Sequence, residues 1–456
     1  MSHEPEGSRP TDDQAGERLR RLRRLGVRRG RQGLATSRPS EKPREKNGDP
    51  SAAIESPAIR SLKELAGAQE VFTPHGPCLV AETGYDLGEV RGGLPLVTAL
   101  TISGAAAAGC ARNPALADFD FHHAGFIDTE TTGLSGGAGT YIFMIGIGMF
   151  EPATDRYIVR QVFMRHPGEE PALLHVTTSI LARCHGLVSF NGRAFDVPLL
   201  NSRYAMHHQP SPLEEMPHLD LLPPSRQRWR FRLASCALGA LEQGILDFQR
   251  NDVDVPGWLI PSLYQEYARS GNPTEMVRVF YHNREDIVSM VPLAAMLCAP
   301  FEGDGDGMIE SPHHPADCAS LGRSFEELGW LTAGERAYRK ALDGALSPEI
   351  RSTVLNRLGW MLKRQERRDE AVAIWNGWIT SVPGPDPTPH IELAKHHEWH
   401  GNDLAAARKW TLWGLHTAKE LPPGSQREQL LSDLQHRLDR LDRKLSGTLP
   451  TEHKSS

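Results

Sequence analysis

Two acidic residues stand one residue apart at the end of an apolar stretch, in the segment FIDTETTGLSGGAGTYIFMIGIGMF (126–150). Side chains two apart on a β-strand point to the same face, so Asp128 and Glu130 are predicted to project together. Two like charges in one place favour a bound cation, and Mg²⁺ or Mn²⁺ suits carboxylate oxygens. Two solvated surface acids would give the same pattern. The metal-site hypothesis therefore depends on further acids in the chain.

Two later segments supply such acids. In SFNGRAFDVPLL, Asp196 follows a predicted strand and turn and begins a predicted helix. In YHNREDIVSM, His282 and Asp286 are four residues apart and share one face of a helix. Four carboxylates could hold two divalent ions on either side of a scissile phosphate. Histidine titrates near neutral pH, so His282 is the predicted acceptor of the proton from the attacking water.

The elements that would position these residues alternate between apolar strands and amphipathic helices over residues 123–300, which is typical of an α/β domain. The predicted strands are HAGFIDTE, YIFMIGIGMF, YIVRQVFM and LVSF, and the predicted helices are GEEPALLHVTTSILARC, FDVPLLNSRYAMH and the Pro292-containing segment 273–298. Residues 301–315 (FEGDGDGMIESPHHP) lack periodicity and are predicted to be a linker.

The segments outside this domain are different in composition. Residues 1–60 are predicted to be a disordered basic tail, and their ERLRRLRRLGVRRGR stretch (17–31) is either solvated or a nucleic-acid arm. Residues 61–122 are predicted to be an N-terminal accessory segment of the α/β domain. Within them the charge-free span 93–111 is predicted to be buried strand and turn, with a membrane helix as the alternative. Residues 445–456 are predicted to be a tail.

Residues 316–444 contain three similar segments, in which Gly322, Gly359 and Ala394 correspond. Their spacing and the aromatic residues that follow resemble tetratricopeptide helical hairpins, which stack into a groove, and a generic helical array is the alternative. Histidines 396, 397 and 400 are predicted to face solvent, although they could in principle bind a metal.

The overall composition excludes some classes of protein. The chain has 51 basic and 57 acidic residues and a net charge of −6, so no bulk positive charge indicates nucleic-acid binding. Its six cysteines form no C-x-x-C pair, which argues against a zinc site or a disulfide framework. The scattered cysteines predict a reducing cytoplasm, and no signal peptide is visible in the polar, charged first fifty residues.

The ordered set D-x-E, N-G-x-x-F-D and H-x-x-x-D resembles the DEDD exonuclease branch of the RNase H-like superfamily, and it looks most like the bacterial YprB-like group. The resemblance implies a mixed, twisted sheet flanked by helices. It further implies that Asp128, Glu130, Asp196 and Asp286 hold two Mg²⁺ or Mn²⁺ ions, and that the activity is 3'-to-5' exonuclease cleavage of DNA or RNA to nucleoside monophosphates. A protein partner on the repeats, by analogy a helicase, also follows.

The resemblance leaves several residues with two interpretations. In the family, the histidine usually stands five residues before the last Asp and the tyrosine four. Here His282 stands four residues before Asp286 and Tyr281 five, so Tyr281 is an alternative to His282 as general base. By resemblance, the loop Thr131, Thr132, Gly133 and Leu134 meets the terminal nucleotide, the alternative being an ordinary turn. Asn191 is a candidate substrate contact, although setting the turn is its favoured role.

Two further groups of residues each allow two interpretations. His218 and Asp220 are either outer-shell groups or, for Asp220, a helix cap. Arg226, Arg228, Arg230 and Arg232 either follow a nucleic-acid backbone, with Trp229 or Phe231 stacking on bases, or form a solvated loop. The alternatives to an exonuclease are a nucleic-acid-binding protein without turnover and a structure-specific endonuclease.

Overall fold

The computed structural model describes residues 61–133, 139–308 and 314–447. The predicted basic tail at 1–60 lies outside these residues, as does Leu134 of the predicted substrate loop. The predicted C-terminal tail is described only as far as residue 447.

The described residues include a mixed sheet of seven strands, as predicted. Its strands are β1 (Gln69–Thr73), β2 (Gly76–Asp86), β5 (Ala124–Thr131), β6 (Ile142–Glu151), β7 (Arg156–Phe163), β8 (Gly186–Ser189) and β9 (His218–Asp220), and β3 (Val90–Arg91) pairs with β4 (Leu94–Pro95) in a separate ribbon. The strand order is β1-β2-β7-β6-β5-β8-β9. The β5–β8 and β8–β9 pairs are parallel, and the other pairs are antiparallel.

Helices cover both faces of this sheet. They are α1 (Leu62–Ala66), α2 (Gly104–Ala111), α3 (Glu170–Leu181), α4 (Asp196–Met206), α5 (Leu222–Trp229), α6 (Leu238–Gly244), α7 (Ile260–Ser270) and α8 (Met276–Cys298). Phe126 and Ile127 are neighbours on β5 and belong to two different buried clusters, one on each face. Burial on both faces explains why β6 is an apolar run without alternation.

Two glycines of β6 let α8 approach the sheet closely. A Cβ atom added at Gly146 would collide with the side chains of Asn283 and Ile287, and one at Gly148 would collide with Tyr157 and Ile287. The glycines of the GIGMF segment therefore bring the Asn283–Ile287 turn of α8 against β5 and β6, where the predicted acids lie.

Helix α8 also explains the most apolar span of the chain. Residues Met276–Gly307 are long and apolar enough to cross a membrane by length and composition, but 72% of the apolar window is buried inside the protein. A core helix gives the same signal. The span 93–111, predicted to be buried strand and turn, is instead mostly helical, with a 3₁₀ helix at Leu96–Thr101 followed by α2.

The C-terminal region is helical, as predicted. Its helices are α9 (Pro315–Glu327), α10 (Leu331–Leu342), α11 (Pro348–Arg364), α12 (Arg368–Ser381), α13 (Thr388–Trp399), α14 (Leu404–Lys419) and α15 (Ser425–Leu445). A Cβ atom at Gly322 would collide with the Tyr338 ring, and one at Gly359 would come within 3.2 Å of the Trp375 ring carbon Cδ1. Glycine therefore sits where paired helices approach most closely in two successive hairpins.

The predicted linker is packed over its first half. Residues Ala299–Met308 form 3₁₀ turns interrupted between residues 302 and 305. The Phe301 ring lies 5.2 Å from that of Phe325 and 6.1 Å from that of Trp330, between ring centroids. These contacts place Phe301 in one buried cluster with residues of α8 and α9.

Candidate active site

Asp128 and Glu130 lie on β5, two residues apart, on the face that carries Phe126. Burial raises the pKa of both carboxyls well above the ordinary range. The nearby carboxylates of Asp286 and Asp196 raise the pKa of Asp128 further, and Asp128 does the same to Glu130. Glu130 is buried and Asp128 is half-buried, so the two acids form a poorly solvated, like-charged pair whose ionised form needs a compensating cation.

Asp196 is the first residue of α4 and is 5% exposed. Burial raises its pKa to about 6, against the hydrogen bond that the Thr129 hydroxyl donates to its Oδ1 atom. Thr129 lies between the two acids of β5, so this bond joins α4 to the same part of the strand. Asp196 enters the acid cluster because the chain turns sharply after β8.

That turn is built by Asn191 and Asp220. Asn191 has a left-handed backbone (φ 69°), which asparagine tolerates better than most residues. Asp220 accepts hydrogen bonds from the backbone N–H groups of Asn191 (2.8 Å), Arg193 (3.1 Å) and Leu222 (3.0 Å). Asn191 is thus a turn residue in the structure, and Asp220 supports the turn as well as the start of α5.

His218 lies behind the same turn. Its Nε2 atom is 2.7 Å from the Ser189 hydroxyl, and burial lowers its pKa to about 4. The ring is therefore neutral at physiological pH. Neither His218 nor Asp220 joins the four acids directly, and both hold the strand ends and the turn that precede Asp196.

Asn283 of α8 contacts the acids of β5 and was not anticipated from the sequence. Its side-chain N–H donates to Asp128 Oδ2 (2.8 Å), and its Oδ1 accepts from Gln161 Nε2 (2.9 Å). Gln161 in turn donates to the Phe280 carbonyl (2.8 Å). Because Asn283 is fully buried, this chain of bonds fixes the orientation of the amide beside Asp128.

Arg250 supplies a positive charge among the acids, also unanticipated. Its guanidinium binds the Asp286 carboxylate and, through two bonds of 2.7 and 2.8 Å, the Glu242 carboxylate. Glu242 is buried and also accepts from the Ser289 hydroxyl (2.6 Å). The guanidinium is therefore held in a fixed position with one edge on Asp286.

His282 faces Asp286 and is oriented by Asp254. The Nδ1 atom of the ring is 2.8 Å from Asp254 Oδ1 and 3.1 Å from Arg250, and Nε2 is 3.7 Å from Asp286 Oδ2. A guanidinium only donates, so Nδ1 can serve one of these two partners. The shorter distance to Asp254 favours a proton on Nδ1, which leaves Nε2 as a proton acceptor towards the acids.

Tyr281, the alternative base, faces a different neighbour. Its hydroxyl accepts a hydrogen bond from the backbone N–H of Asn251 (3.3 Å), and the Arg284 guanidinium lies 5.5 Å from its ring centroid. Of the two candidates, His282 is the one whose side chain faces Asp286.

An exposed tryptophan follows, in the chain, a glycine that lies close to His282. Trp258 is 69% exposed in the 3₁₀ helix Gly257–Leu259, and a Cβ atom at Gly257 would lie 3.7 Å from His282 Nε2. The segment 250–258 thus supplies Arg250, Asp254 and Trp258 to one side of the site. An exposed Pro-Gly-Trp in a non-periodic segment is the sequence signal that could have drawn attention to it.

The loop after Glu130 is closed by its own threonines. The Thr131 hydroxyl donates to the Gly133 carbonyl (2.8 Å), and the Thr132 hydroxyl accepts from the Tyr141 backbone N–H (2.9 Å). A bulge at Glu130/Thr131 turns the strand at this point. Within the described residues, the hydroxyls of Thr131 and Thr132 are therefore already hydrogen-bonded inside the protein, and substrate contacts by this loop stay a prediction for its other groups.

The donor set fits divalent ions, although the oxygens are engaged with protein donors. Over 61–133, 139–308 and 314–447, no group of three His, Cys, Asp or Glu residues is already spaced to hold a metal. Thr129, Asn283 and Arg250 occupy oxygens that an ion would use. The all-carboxylate set suits Mg²⁺ or Mn²⁺, and the raised pKa values of Asp128 and Glu130 show the uncompensated negative charge that such ions would neutralise.

Two comparisons with known proteins agree with this geometry. Residues 125–298 match the family model of the RNase_H superfamily, and RNase H-like folds typically use divalent metal ions. The chain is also 30% identical over 331 residues to a protein of Bacillus subtilis (strain 168) named "Uncharacterized protein YprB". The aligned part covers 71% of this chain and 75% of that relative.

Proposed function

Because the chain belongs to the family of YprB and carries an RNase H superfamily domain, which suggests nuclease activity, we propose that it is a two-metal-ion-dependent nuclease. The finer proposal is a 3'-to-5' exonuclease that releases nucleoside monophosphates from DNA or RNA. The observation that carries it is the meeting of four carboxylates from three separate elements, β5, α4 and α8. Structural stability alone gives no reason to bury so many like charges together.

In this proposal, Asp128, Glu130, Asp196 and Asp286 hold the two ions. The bound ions would supply charge neutralisation at the phosphate and a more acidic water. His282 accepts the proton of the attacking water at Nε2, with Asp254 holding the ring by its other nitrogen. Tyr281 remains the alternative base.

Two residues outside the predicted set complete the proposed site. Arg250 is placed to exchange one bond to Asp286 for a phosphate oxygen, because a guanidinium binds carboxylates and phosphates in the same forked geometry. Trp258, which follows the glycine close to His282, offers an exposed ring on which the terminal base could stack. The 3'-to-5' polarity itself is supported by the family resemblance.

The test is a product assay on end-labelled single strands of DNA and RNA with Mg²⁺ or Mn²⁺. We expect nucleoside monophosphates from the wild-type protein and a loss of turnover with retained strand binding for Asp128→Asn. The control is Asp155→Asn, the same chemical change at an exposed turn residue with a left-handed backbone (φ 51°) that asparagine adopts.

Other outcomes would replace the proposal. Binding of both strands without any cleavage would make the protein a nucleic-acid-binding module. Cleavage of a circular strand would make it an endonuclease, because a circle has no end to enter the site.

We also propose that the C-terminal hairpins are tetratricopeptide-like and hold a protein partner, by analogy a helicase. The close approach of Gly322 to Tyr338 and of Gly359 to Trp375 supports a repeated hairpin. Trp399 and Trp413 are 53% and 50% exposed on this region and are candidate anchors. Co-elution with a purified helicase that is lost in Trp399→Ala, Trp413→Ala would support the partner, and no co-elution of the wild-type protein would exclude it.

A further inference from the structure

An open cleft of about 720 Å³ lies where the sheet domain meets the helical region. Residues of α5 and the segment after it form one side, and residues of α9 and α11 form the other. Its volume is within the range of pockets that bind ligands. The cleft is separate from the four acids, none of which lines it.

The cleft is lined by arginines that differ in whether they are already paired. The lining arginines are Arg112, Arg226, Arg230, Arg323 and Arg357, with one acid, Glu349. Arg112 and Arg323 bind Glu327, and Arg357 binds Glu326 (2.8 Å). Arg226 and Arg230 are exposed and, among the described residues, have no acidic partner. These two guanidinium groups are therefore available to an anion.

An exposed aromatic ring stands beside this free charge. Phe231 is 50% exposed, lines the cleft, and has the Arg230 guanidinium 4.6 Å from its ring centroid. Cations that bind phosphates next to rings that stack on bases are the combination with which proteins hold single-stranded nucleic acid. An acidic peptide would satisfy the arginines but gives no reason for the ring.

The fold separates these residues from their sequence neighbours. Arg228 donates to the Met296 carbonyl (2.5 Å), Trp229 is 2% exposed, and Arg232 binds Asp317 (3.0 Å). The Gln227 side chain also contacts the Ser324 hydroxyl (2.6 Å). These contacts hold α5 and the residues after it against α8 and α9, so the walls of the cleft are fixed. Arg226 and Arg230, four residues apart, are exposed and face outward.

Helix α5 connects the cleft to the candidate active site. The Asp220 carboxylate binds the backbone N–H of Asn191, in the turn before Asp196, and that of Leu222, the first residue of α5. Eight helical residues span about 12 Å, and Arg226 and Arg230 are about 6 Å apart along the axis. The start of α5 is therefore tied to the turn that precedes Asp196, and both arginines lie within about one helix length of that start.

We propose that this cleft binds the phosphodiester backbone of a single-stranded nucleic acid whose end occupies the candidate active site. Arg226 and Arg230 contact successive parts of the backbone, and Phe231 stacks on a base. The identity of the strand as substrate rests on the proposed function, whereas its binding in the cleft does not require cleavage.

The experiment measures binding of the full chain to fluorescent single strands in the presence of a chelator, so that no cleavage occurs. A strand of about 5 nucleotides is too short to leave the active site and fill the cleft, and one of about 30 covers both. The test variants are Arg226→Glu, Arg230→Glu as a pair and Phe231→Ala alone. The control pair, Lys409→Glu and Lys419→Glu, makes the same change of charge at exposed positions of α14.

For the arginine pair, the ratio of the long-strand to the short-strand dissociation constant should rise about tenfold. The slope of log affinity against log salt for the long strand should fall by about 1.4, from two lost phosphate contacts at about 0.7 each. Phe231→Ala should raise the same ratio about tenfold with an unchanged salt slope. The control pair should change neither the ratio nor the slope.

Two results would overturn the cleft: an unchanged ratio in both test variants, or an equal change in the control pair. If the variants behave as expected but the wild-type protein cleaves no strand with Mg²⁺ or Mn²⁺, strand binding in the cleft is supported and the proposed nuclease function is refuted. If cleavage occurs and the ratio is unchanged, the nuclease function is supported and strand binding in the cleft is refuted.

Discussion

Replacing Asp196 by asparagine should stabilise the metal-free protein, contrary to the usual effect of changing a buried, hydrogen-bonded residue. Burial raises the pKa of this carboxyl from 3.8 to about 6. The folded state therefore binds a proton more tightly than the unfolded state between these pH values. The stabilisation by that proton is present at low pH and is lost as the pH rises towards 6.

The magnitude follows from the size of the shift. A shift of about 2 pKa units corresponds to about 3 kcal/mol. Asparagine carries no charge, and its side-chain oxygen can still accept the Thr129 hydrogen bond. Relative to wild type, the free energy of unfolding of Asp196→Asn should rise by about 1.5 kcal/mol at pH 5 and by about 3 kcal/mol at pH 8.

The assay is thermal unfolding of both proteins in a chelator at several pH values, then with Mg²⁺ or Mn²⁺. Without metal, the variant's Tm should exceed that of wild type by several degrees at pH 8. With metal at a hundredfold excess over Kd, each site stabilises wild type by about 2.7 kcal/mol. The difference between the two Tm values should therefore become smaller or change sign. The control Asp155→Asn should show neither effect.

A variant that is less stable than wild type in chelator at pH 8 would refute this reasoning. It would mean that the hydrogen bonds to Asp196 outweigh the desolvation of its charge. The carboxylate would then be a structural acceptor, and a bound ion would not be needed to explain its burial.

Three other changes test the site and the repeats. Asp254→Ala should lower kcat about 10- to 100-fold with little change in KM, because the His282 imidazole loses the carboxylate that orients it. Asp252→Ala, at an exposed neighbour, should leave kcat unchanged, and equal effects of the two substitutions would exclude a positioning role for Asp254. Trp258→Ala should raise KM about tenfold with kcat nearly unchanged, and an unchanged KM would exclude base stacking there. Gly359→Val should lower the free energy of unfolding by about 1–3 kcal/mol in thermal unfolding, because the Trp375 indole leaves no room for a side chain. Gly377→Ala, with nothing within 4 Å, should be neutral or stabilising, and a tolerated Gly359→Val would contradict the close helix pairing.

The strand beside the acids could be predicted because burial on both faces leaves a long apolar run. The segment YIFMIGIGMF corresponds to β6 (Ile142–Glu151), which pairs with the acid-bearing β5, and the helix predicted from FDVPLLNSRYAMH begins at Asp196. The prediction of strand and turn for residues 93–111 was wrong, although the sequence contains signals for a helix there. Ser103 caps α2 through the backbone N–H of Ala106, and the helix is the alanine-rich GAAAAGCA.

The predicted linker shows a different limit. Residues 301–308 have no helical or strand periodicity, so the sequence gives no pattern from which packing could be inferred. Phe301 is nevertheless 6% exposed, between Phe325 and Trp330. Its environment is set by helices later in the chain, and one aromatic residue in an irregular segment does not reveal it.

The partners of the acids were missed for the same reason. Asp128 and His282 lie in periodic elements and are recognisable by spacing, but Arg250 and Asp254 lie in the irregular segment between α6 and the 3₁₀ helix at 257–259. They contact Asp286 and His282 of α8, which come later in the chain. Local spacing identifies residues that share an element, whereas a partner from another element depends on the tertiary fold.

Arg250 determines what the acids can do before metal binds. The carboxylates of Asp128, Glu130, Asp196 and Asp286 would carry four negative charges if all were ionised, and the Arg250 guanidinium beside them is shared with a fifth carboxylate, Glu242, so that the five acids and Arg250 sum to −4. The raised pKa values of three of the four carboxyls show that the protein reduces this charge by retaining protons. Two divalent ions would bring +4, so their binding should expel those protons and weaken the hold of Asp286 on Arg250. In the proposed function, the guanidinium would then be available to a phosphate once the ions are bound, because the same charge balance would govern both events.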